Sequence, residues 1–495
     1  MAKKVIIIGG GAYGLAAGTY LAMNGFDTEI HEMHSIPGGV CTAWTRKGYT
    51  FDFCIHWLMG SSPGKSLYHT WTELGAVQGR RMIEPDIYLK WQSKEGETFT
   101  IYTDPEKLRA EMRRLGPDDT RFIDSFINGI VSFSKFDIPA RKEDQSFGMM
   151  FKMIGFMPKL MKWGGMDVTK FAGKFKSPHL KQFFTDMYVG GGMGGFPVMG
   201  MMMMLGFMAA RSNGYPEGGS LKFIQAIEST YKKHGGKIVY NSKVDKIVVE
   251  NGNAAGIVAG GKEVRGDYVI SAADGYATLN KLLEGKYSHP KIDQAYAEWE
   301  PFPSLLFISL GIARKFDNMP SMFHFYAKNP LTIEGGKQTI TMVPLRLFNN
   351  DTTMAPAGKT AATSMISTYH DEYWSALKKS DKAKYDAEKK RIADWIIDEC
   401  EAYFGDFKNK VEVVDVATPD TIIRYTGNWH GSYEGWLPDK KTMMKTLPSQ
   451  VNGLGNFYML GQWISPGGGL PPAAMEGRKL ARKICKTEGV KFHTV

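Results

Sequence analysis

The chain has 495 residues, 43% of them hydrophobic, and its formal net charge is +10. A chain of this length can bury a large core and is expected to form two domains, or one domain with a large insert. Its mean hydropathy of -0.26 describes a soluble globular protein and excludes a polytopic membrane protein. No nucleic-acid motif accompanies the basic charge, so we expect no nucleic-acid partner.

Cysteine usage argues against a metal site. The four cysteines, Cys41, Cys54, Cys400 and Cys485, form no Cys-x-x-Cys pair and no pairing with histidine at metal-ligand spacing. Scattered cysteines of this kind are typical of a reducing compartment. We therefore predict a cytoplasmic protein without a bound metal.

The N-terminus carries the most informative motif. A β-branched run, Val5 to Ile8, is followed by Gly9, Gly11 and Gly14 and then by an alanine-rich segment, which predicts a buried strand, a tight turn and a helix. In a dinucleotide site the first glycine permits the turn, the second lets a pyrophosphate approach, and the third lets the helix pack on the strand. The N–H groups at the helix start then face the phosphate charge.

A second strand, predicted over residues 27–32, ends in an acid at the expected distance. Glu32 lies eighteen residues after Gly14, where a carboxylate accepts hydrogen bonds from the adenosine ribose hydroxyls. The strand, the helix and the acid together indicate a dinucleotide site rather than an accidental glycine turn. A second glycine pair, Gly38-Gly39, and an aromatic-Asp turn at Phe51-Asp52 follow this strand.

The middle of the chain begins with two predicted strands, 87–91 and 98–102, and a helix that starts near Pro105. Residues 147–176 then alternate methionine and aromatic residues with six lysines against one acid, Asp167. An apolar stripe flanked by lysine is typical of an interfacial membrane helix, but a methionine-rich lid or core helix has the same pattern. Both interpretations stay open.

Residues 187–210 carry no charge over 24 positions, which is long enough to span a bilayer. Seven glycines and Pro197 make this segment a poor spanning helix. We therefore predict that it lines an apolar cavity.

The remaining predicted elements alternate between strands and helices. They are a helix over 221–234 opened by Tyr215-Pro216-x-Gly218-Gly219, strands over 237–240, 244–249, 266–274 and 305–312, a helix near 387–404, a strand over 456–463, and a helix from Pro471 to about Ile484 after Gly468-Gly469. Asp274, at the end of its strand, is expected to fix that end rather than to act in chemistry.

Taken together, these blocks resemble the phytoene desaturase, carotenoid isomerase and retinol saturase family of FAD-dependent oxidoreductases, which has the amine-oxidase flavoprotein fold. The resemblance covers roughly residues 1–68, 212–284 and 452–487. It implies an α/β fold with two parts. A Rossmann-like FAD-binding domain would be assembled from residues 1–75, 212–285 and 450–495, and a mixed α+β substrate-binding domain from 76–211 and 286–449.

FAD is the cofactor that the resemblance implies. The pyrophosphate would lie against Gly11 to Gly14 and Gly38-Gly39, the ribose against Glu32, and the adenine against Val244. The ribityl chain and the flavin would lie against Gly461 and Leu470 to Ala473. The complete implied set is Gly9, Gly11, Ala12, Tyr13, Gly14, Glu32, Met33, Gly38, Gly39, Thr42, Val244, Ala273, Gly461, Gln462, Leu470, Pro471 and Ala473. Two positions depart from the family pattern: Cys54 replaces the usual glycine, and Gln462 replaces a common acid.

Catalytic candidates come from two places. His56 and Trp57 follow the aromatic-Asp turn, which the resemblance brings near the flavin, whereas Tyr425 and His430 belong to an aromatic cluster before the last cofactor block. Either pair could shape the pocket and supply a proton.

The leading functional hypothesis is desaturation, saturation or cis-trans isomerisation of a C=C bond in an apolar isoprenoid, carotenoid-like or lipid substrate, by hydride transfer at flavin N5. A flavin amine oxidase and a non-catalytic prenyl-lipid carrier are the alternatives. No second Gly-x-Gly-x-x-Gly turn set between a predicted strand and a predicted helix is apparent, so we expect an external electron donor or acceptor. Peripheral membrane contact is a further expectation, and the oligomeric state stays open.

Overall fold

A computed structural model describes residues 2–144, 156–159, 161–189, 193–333, 338–443 and 445–494. The strands are β1 (Lys4–Ile8), β2 (Asp27–His31), β3 (Ala43–Arg46), β4 (Tyr49–Asp52), β5 (Leu58–Met59), β6 (Met82–Ile83), β7 (Ile87–Gln92), β8 (Thr98–Tyr102), β9 (Asn213–Pro216), β10 (Lys237–Val239), β11 (Val244–Glu250), β12 (Asn253–Ala259), β13 (Lys262–Arg265), β14 (Tyr268–Ser271), β15 (Ser304–Ile312), β16 (Met322–Thr332), β17 (Thr339–Leu347), β18 (Thr360–Thr368), β19 (Val411–Ala417) and β20 (Phe457–Met459).

The α-helices are α1 (Ala12–Met23), α2 (Ser66–Glu73), α3 (Pro105–Leu115), α4 (Thr120–Ser134), α5 (Val168–Ala172), α6 (Pro178–Phe184), α7 (Val198–Ala209), α8 (Gly219–Lys233), α9 (Gly275–Ala277), α10 (Pro290–Glu298), α11 (Asp371–Ser380), α12 (Lys382–Phe404), α13 (Pro419–Thr426) and α14 (Leu470–Thr487). Short 3₁₀ turns cover Pro117–Asp119, Lys142–Asp144, Lys408–Lys410 and Trp429–Gly431, and π turns cover Thr185–Val189 and Thr278–Leu282.

A five-stranded parallel sheet organises the glycine-rich blocks. Its strand order is β10-β2-β1-β14-β20, so strands from three distant parts of the chain lie side by side. The central strand β1 is buried on both faces, which explains why its sequence is continuously apolar rather than alternating. This sheet and the helices α1, α8 and α14 have the Rossmann-like architecture that the sequence predicted.

Close packing of α1 requires small residues at two positions. A Cβ on Gly14 would lie 2.0 Å from the carbonyl oxygen of Gly9, and a Cβ on Gly477 of α14 would lie 2.8 Å from the Cβ of Ala16. These contacts hold the first helix against both the turn and the last helix.

A seven-stranded sheet forms the second half of the molecule, in the order β19-β15-β18-β17-β16-β7-β8. All neighbours are antiparallel except β16 and β7. The two predicted strands near residues 87 and 98 thus join strands from residues 286–449 in one sheet. The exact domain boundaries remain a prediction.

The methionine- and lysine-rich segment 147–176 is described only in part. Met149, Met150, Phe151, Met153, Ile154 and Leu160 of its apolar stripe lie outside the described residues. Phe156 and Trp163 are buried against α4, whereas Met157 is 46% and Met161 75% exposed. The segment therefore has both a packed and an exposed apolar side.

The uncharged stretch 187–210 contains α7, which begins after Pro197. Among the described residues, no helix combines the length and apolar character needed to cross a membrane. Gly200, Met203 and Met204 of α7 instead line a large cavity, as the sequence predicted for this stretch.

Candidate active site

A cavity of about 1190 Å³ lies between the two halves of the molecule. One side is formed where β1, β2, β14 and β20 end, by residues such as Gly9, Glu32, Ala273 and Gly461. Ligands of open parallel sheets bind at these carboxyl ends. The opposite wall is a face of the seven-stranded sheet.

Most of the predicted cofactor residues meet in this cavity. They are Gly9, Gly11, Ala12, Tyr13, Glu32, Met33, Gly38, Gly39, Val244, Ala273, Gly461, Gln462, Leu470 and Pro471. Gly14, Thr42 and Ala473 do not line it. Gly14 packs beneath the turn against Gly9, the Thr42 backbone bonds to Val40 and Phe53, and Ala473 is buried in the core. The individual contacts of all these residues with a cofactor remain predictions.

Gly11 shows that the turn is shaped for a ligand. Its φ of -70° is one that any residue adopts, and an added Cβ would meet only the Gly38 carbonyl oxygen, at 3.8 Å. Gly9, by contrast, has a φ of +98°, and Gly14 has no room for a side chain. The fold thus requires Gly9 and Gly14, whereas glycine at position 11 leaves a backbone cradle that a phosphate can enter.

Glu32 closes this cradle on the side of β2. Its carboxylate accepts the N–H of Gly10 at 2.6 Å and the N–H of His34 at 2.8 Å. Burial raises the pKa of Glu32, and these two backbone donors oppose that rise. Because each carboxylate oxygen can accept more than one hydrogen bond, lone pairs remain for the hydroxyls of a ribose.

The N-terminus of α14 borders the cavity through Gly469, Leu470, Pro471 and Pro472. The two prolines have no N–H, so Leu470 supplies the backbone donor at the very start of the helix. The hydroxyl of Tyr13, on α1, is buried at the cavity and has no hydrogen-bond partner within the described residues. The Tyr13 hydroxyl and the Leu470 N–H are therefore two hydrogen-bond donors located at the cavity.

His56 is held at the cavity wall in a neutral form. Its Nδ1 donates to the Cys54 carbonyl oxygen at 3.1 Å, and burial together with the nearby charge of Arg346 lowers its pKa to about 3. Trp57 beside it packs edge-on against Tyr88. His56 therefore carries no positive charge near neutral pH, and its low pKa makes it a weak proton acceptor.

The two candidates from the aromatic cluster separate. Tyr425 lines the main cavity, with His34 against its edge and the guanidinium of Arg424 over its ring. His430 lines a different cavity of about 340 Å³, where its Nδ1 lies 3.0 Å from the Asp371 carboxylate. The structure does not bring His430 to the main cavity. Asp274 fixes the end of β14, as expected, by accepting the N–H groups of Ala277 and Trp429.

The polar residues of the cavity that sequence reasoning missed include Glu434, His324 and Arg346. Burial raises the pKa of Glu434 to about 8 and lowers that of His324 to about 4. Glu434 directly follows Tyr433 of the aromatic cluster. An acidic residue within an aromatic segment was the sequence pattern that could have predicted it as a site residue. His324 and Arg346 lie on strands whose register could not be read locally.

Methionine and aromatic side chains form most of the remaining wall. They include Met187, Tyr188, Met193, Phe196, Met203, Met204, Phe302, Met322 and Met365, and Leu305 lies among them. A wall of this kind suits a long apolar ligand whose shape the flexible thioethers can follow.

Comparison with known proteins decides the family. The model of the flavin containing amine oxidoreductases matches residues 14–485. The chain belongs to this family. It is accordingly an FAD-dependent oxidoreductase, and this assignment favours the enzyme over the lipid carrier.

Its curated relatives are distant. Prolycopene isomerase of Daucus carota is 25% identical over 98% of this chain and 80% of its own length. The 4,4'-diapophytoene desaturase of Methylomonas sp is 24% identical over 100% of this chain and 97% of its own. An oxidoreductase of Methanosarcina mazei has the same fold, with a TM-score of 0.62, 16% identity and coverage of 96% of this chain and 99% of its own.

The cavity fits FAD. The open cradle at Gly11 has room for a pyrophosphate, and the Glu32 carboxylate can accept the hydroxyls of a ribose. The Tyr13 hydroxyl, which has no partner among the described residues, can donate to an acceptor on the cofactor. With FAD on the side of the parallel sheet, the part of the cavity along the seven-stranded sheet is the space in which we expect the substrate.

Proposed function

We propose that this FAD enzyme desaturates, saturates or isomerises C=C bonds in a long apolar substrate of the isoprenoid or carotenoid class. The observation that carries the proposal is the continuity of one cavity, in which the dinucleotide cradle opens directly onto a wall of methionine and aromatic side chains. The names of the carrot and Methylomonas relatives, an isomerase and a desaturase of carotenoids, support the same chemistry.

The apolar wall orients the substrate and excludes water from the reacting bond. Bound FAD supplies hydride transfer at N5, which interconverts a CH–CH unit and a C=C unit. A conjugated polyene spreads the developing charge along its chain, so desaturation needs little acid–base assistance from side chains.

Saturation or proton-coupled isomerisation needs a proton donor, and Glu434 is suited to that role. Its carboxyl lines the cavity and, with a pKa raised to about 8 by burial, keeps its proton at neutral pH. His56, in contrast, is neutral there and cannot donate as an imidazolium. Glu434 therefore holds the proton that would pass to a substrate carbon.

We also propose that the enzyme is cytoplasmic and contacts a membrane peripherally, from which its substrate enters. The exposed Met157 and Met161 and the neighbouring Lys159 and Lys162 support this contact, because an apolar pair flanked by lysine suits a lipid headgroup region. An external protein or small molecule would supply or accept electrons.

Product analysis tests the proposed chemistry. The purified FAD-loaded enzyme is incubated with a polyene in its oxidised form, and separately in its dithionite-reduced form. Gain or loss of two hydrogens, or a geometric isomer of equal mass, supports the proposal. If instead an amine from a matched panel is oxidised and every polyene is unchanged, the enzyme is an amine oxidase.

A further inference from the structure

Arg346 is a buried cation on the wall of the substrate cavity. It lies on β17, its side chain is packed so that the residue is only 8% exposed, and its Nη1 donates to the Ile55 carbonyl oxygen at 2.7 Å. The guanidinium lies over the rings of Tyr215 and Phe348, with centroid distances of 4.7 and 4.5 Å. These contacts fix the plane of the guanidinium.

No ion pair neutralises Arg346 within the described residues. Asp52 lies close enough to feel its charge, but the Asp52 carboxylate is engaged by the hydroxyl of Tyr215 at 2.7 Å and the N–H of Ser220 at 3.1 Å. A guanidinium has five N–H donors, and buried charges are rarely left unpaired. Arg346 thus retains N–H donors that no hydrogen bond within the described residues uses, while Asp52 offsets part of its charge from a distance.

Thr363 provides a second, independent sign of a ligand. It lies directly opposite Arg346 in the antiparallel pairing of β17 and β18, so both side chains are on the cavity face of the sheet. Thr363 is 1% exposed, and its hydroxyl has no hydrogen-bond partner among the described residues. A buried hydroxyl without a partner is costly unless something that enters the cavity satisfies it.

His324 completes the group. It pairs with Pro344 on β17, two residues before Arg346, and therefore lies on the same face of the sheet. Burial lowers the pKa of His324 to about 4 and that of His56 to about 3, so both rings are neutral beside the guanidinium. Of these three side chains, Arg346 alone therefore carries a charge, and the nearby opposite charge is the carboxylate of Asp52.

We propose that Arg346, Thr363 and His324 form a subsite for a carboxylate at the end of the long apolar substrate. This inference rests on the proposed function and narrows it, from isoprenoid or polyene hydrocarbons to polyene carboxylic acids. One planar guanidinium matches one carboxylate, with two parallel N–H donors, in both geometry and charge. A diphosphate would carry at least twice the charge of a carboxylate, which is more than a single guanidinium neutralises. The other cationic residues at the cavity, Lys243, Lys281 and Arg424, do not lie on this sheet.

Binding by the FAD-loaded wild-type enzyme is the first test, because it needs no variant. All-trans retinoic acid and its methyl ester are titrated while tryptophan fluorescence and flavin absorbance are followed. The acid is expected to bind at least about tenfold more tightly than the ester, the effect of one charge-assisted contact. Equal affinity of the acid and the ester overturns the carboxylate subsite.

Variants then assign the preference to these residues. Arg346→Met should abolish the preference for the acid, Arg346→Lys should retain part of it, and Thr363→Val should reduce it while Thr363→Ser keeps it. Arg314→Met is the matched control, because the Arg314 guanidinium bonds to the Gly405 carbonyl away from the cavity. Loss of FAD absorbance in Arg346→Met, with the acid preference intact, would assign Arg346 to the cofactor and contradict the proposal.

The same samples separate the two proposals. If the ester is converted as well as the acid, the C=C chemistry stands and the carboxylate subsite fails. If the acid is preferred in binding but no C=C bond in it changes, the subsite stands and the proposed chemistry fails.

Discussion

The carboxylate of Glu32 accepts the backbone N–H of Gly10 at 2.6 Å, which joins the end of β2 to the glycine turn after β1. Glu32 therefore stabilises the glycine turn directly, in addition to lying beside it. Glu32 also lines the cavity, so one side chain both shapes the cradle and borders the space in which we expect the cofactor.

Glu32→Ala should weaken FAD binding by at least about tenfold, because it removes the acceptor for the ribose hydroxyls and leaves the Gly10 N–H unpaired. The dissociation constant can be measured by flavin fluorescence on adding FAD to the apoprotein. Glu250→Ala is the control, since Glu250 pairs with Arg265 on the surface and does not line the cavity. An unchanged affinity in Glu32→Ala would remove Glu32 from the cofactor site.

Two glycines of the same turn should respond differently to alanine. Gly11→Ala is expected to fold with wild-type thermal stability but to lose FAD, since its Cβ has room in the protein and would occupy the phosphate cradle. Gly14→Ala is expected to lower the unfolding temperature, because its Cβ would lie 2.0 Å from the Gly9 carbonyl oxygen. Thermal unfolding with and without FAD distinguishes the two. A Gly11→Ala protein that binds FAD normally would place the pyrophosphate elsewhere.

These local features were predictable because a dinucleotide cradle is encoded within a few consecutive residues: a buried strand, three spaced glycines and an acid. The strands near residues 87 and 98, and the helix that starts at Pro105, follow from local patterns in the same way. The predicted strand over 456–463 is shorter in the structure, where β20 ends at Met459 and the chain turns into the cavity wall.

The substrate side of the site could not be read from the sequence. Arg346 and Thr363 are neighbours only through the register of β17 and β18, and His430 is directed by Asp371 into a separate cavity. Such relationships depend on long-range strand pairing, which no local sequence motif predicts.

Glu434 should make the stability of the protein depend on pH. Its pKa is raised from 4.5 to about 8 by burial, so between these values the folded protein keeps a proton that the unfolded chain has lost. The free energy of unfolding must then fall as pH rises through this interval, by up to about 1.4 kcal/mol per pH unit from this group.

Glu434→Gln should remove that part of the slope, because the amide does not titrate. Urea unfolding at several pH values measures it, and Glu434→Asp, which keeps a carboxyl, serves as the control. A slope identical in the wild type and Glu434→Gln would show that the carboxyl is ionised throughout and cannot hold a proton for the substrate.

Membrane contact should depend on the exposed methionines. The double variant Met157→Gln and Met161→Gln is expected to reduce co-sedimentation with phosphatidylglycerol-containing vesicles. The reason is that two exposed apolar side chains that would insert among the lipids become polar. Met319→Gln, at a position remote from this segment, is the matched control. Equal sedimentation of the double variant and the wild type would favour the lid interpretation of the segment.

Anaerobic absorbance spectroscopy tests the central claim most directly. The purified protein is loaded with FAD, reduced with dithionite, and then mixed with a polyene in the absence of oxygen. We expect flavin bands that bleach on reduction. Adding the polyene should then restore them with an equal amount of saturated product, or leave them bleached while a geometric isomer forms. A protein that takes up no FAD, or a flavin that leaves every polyene unchanged in both its oxidised and its reduced form, would contradict the proposed chemistry.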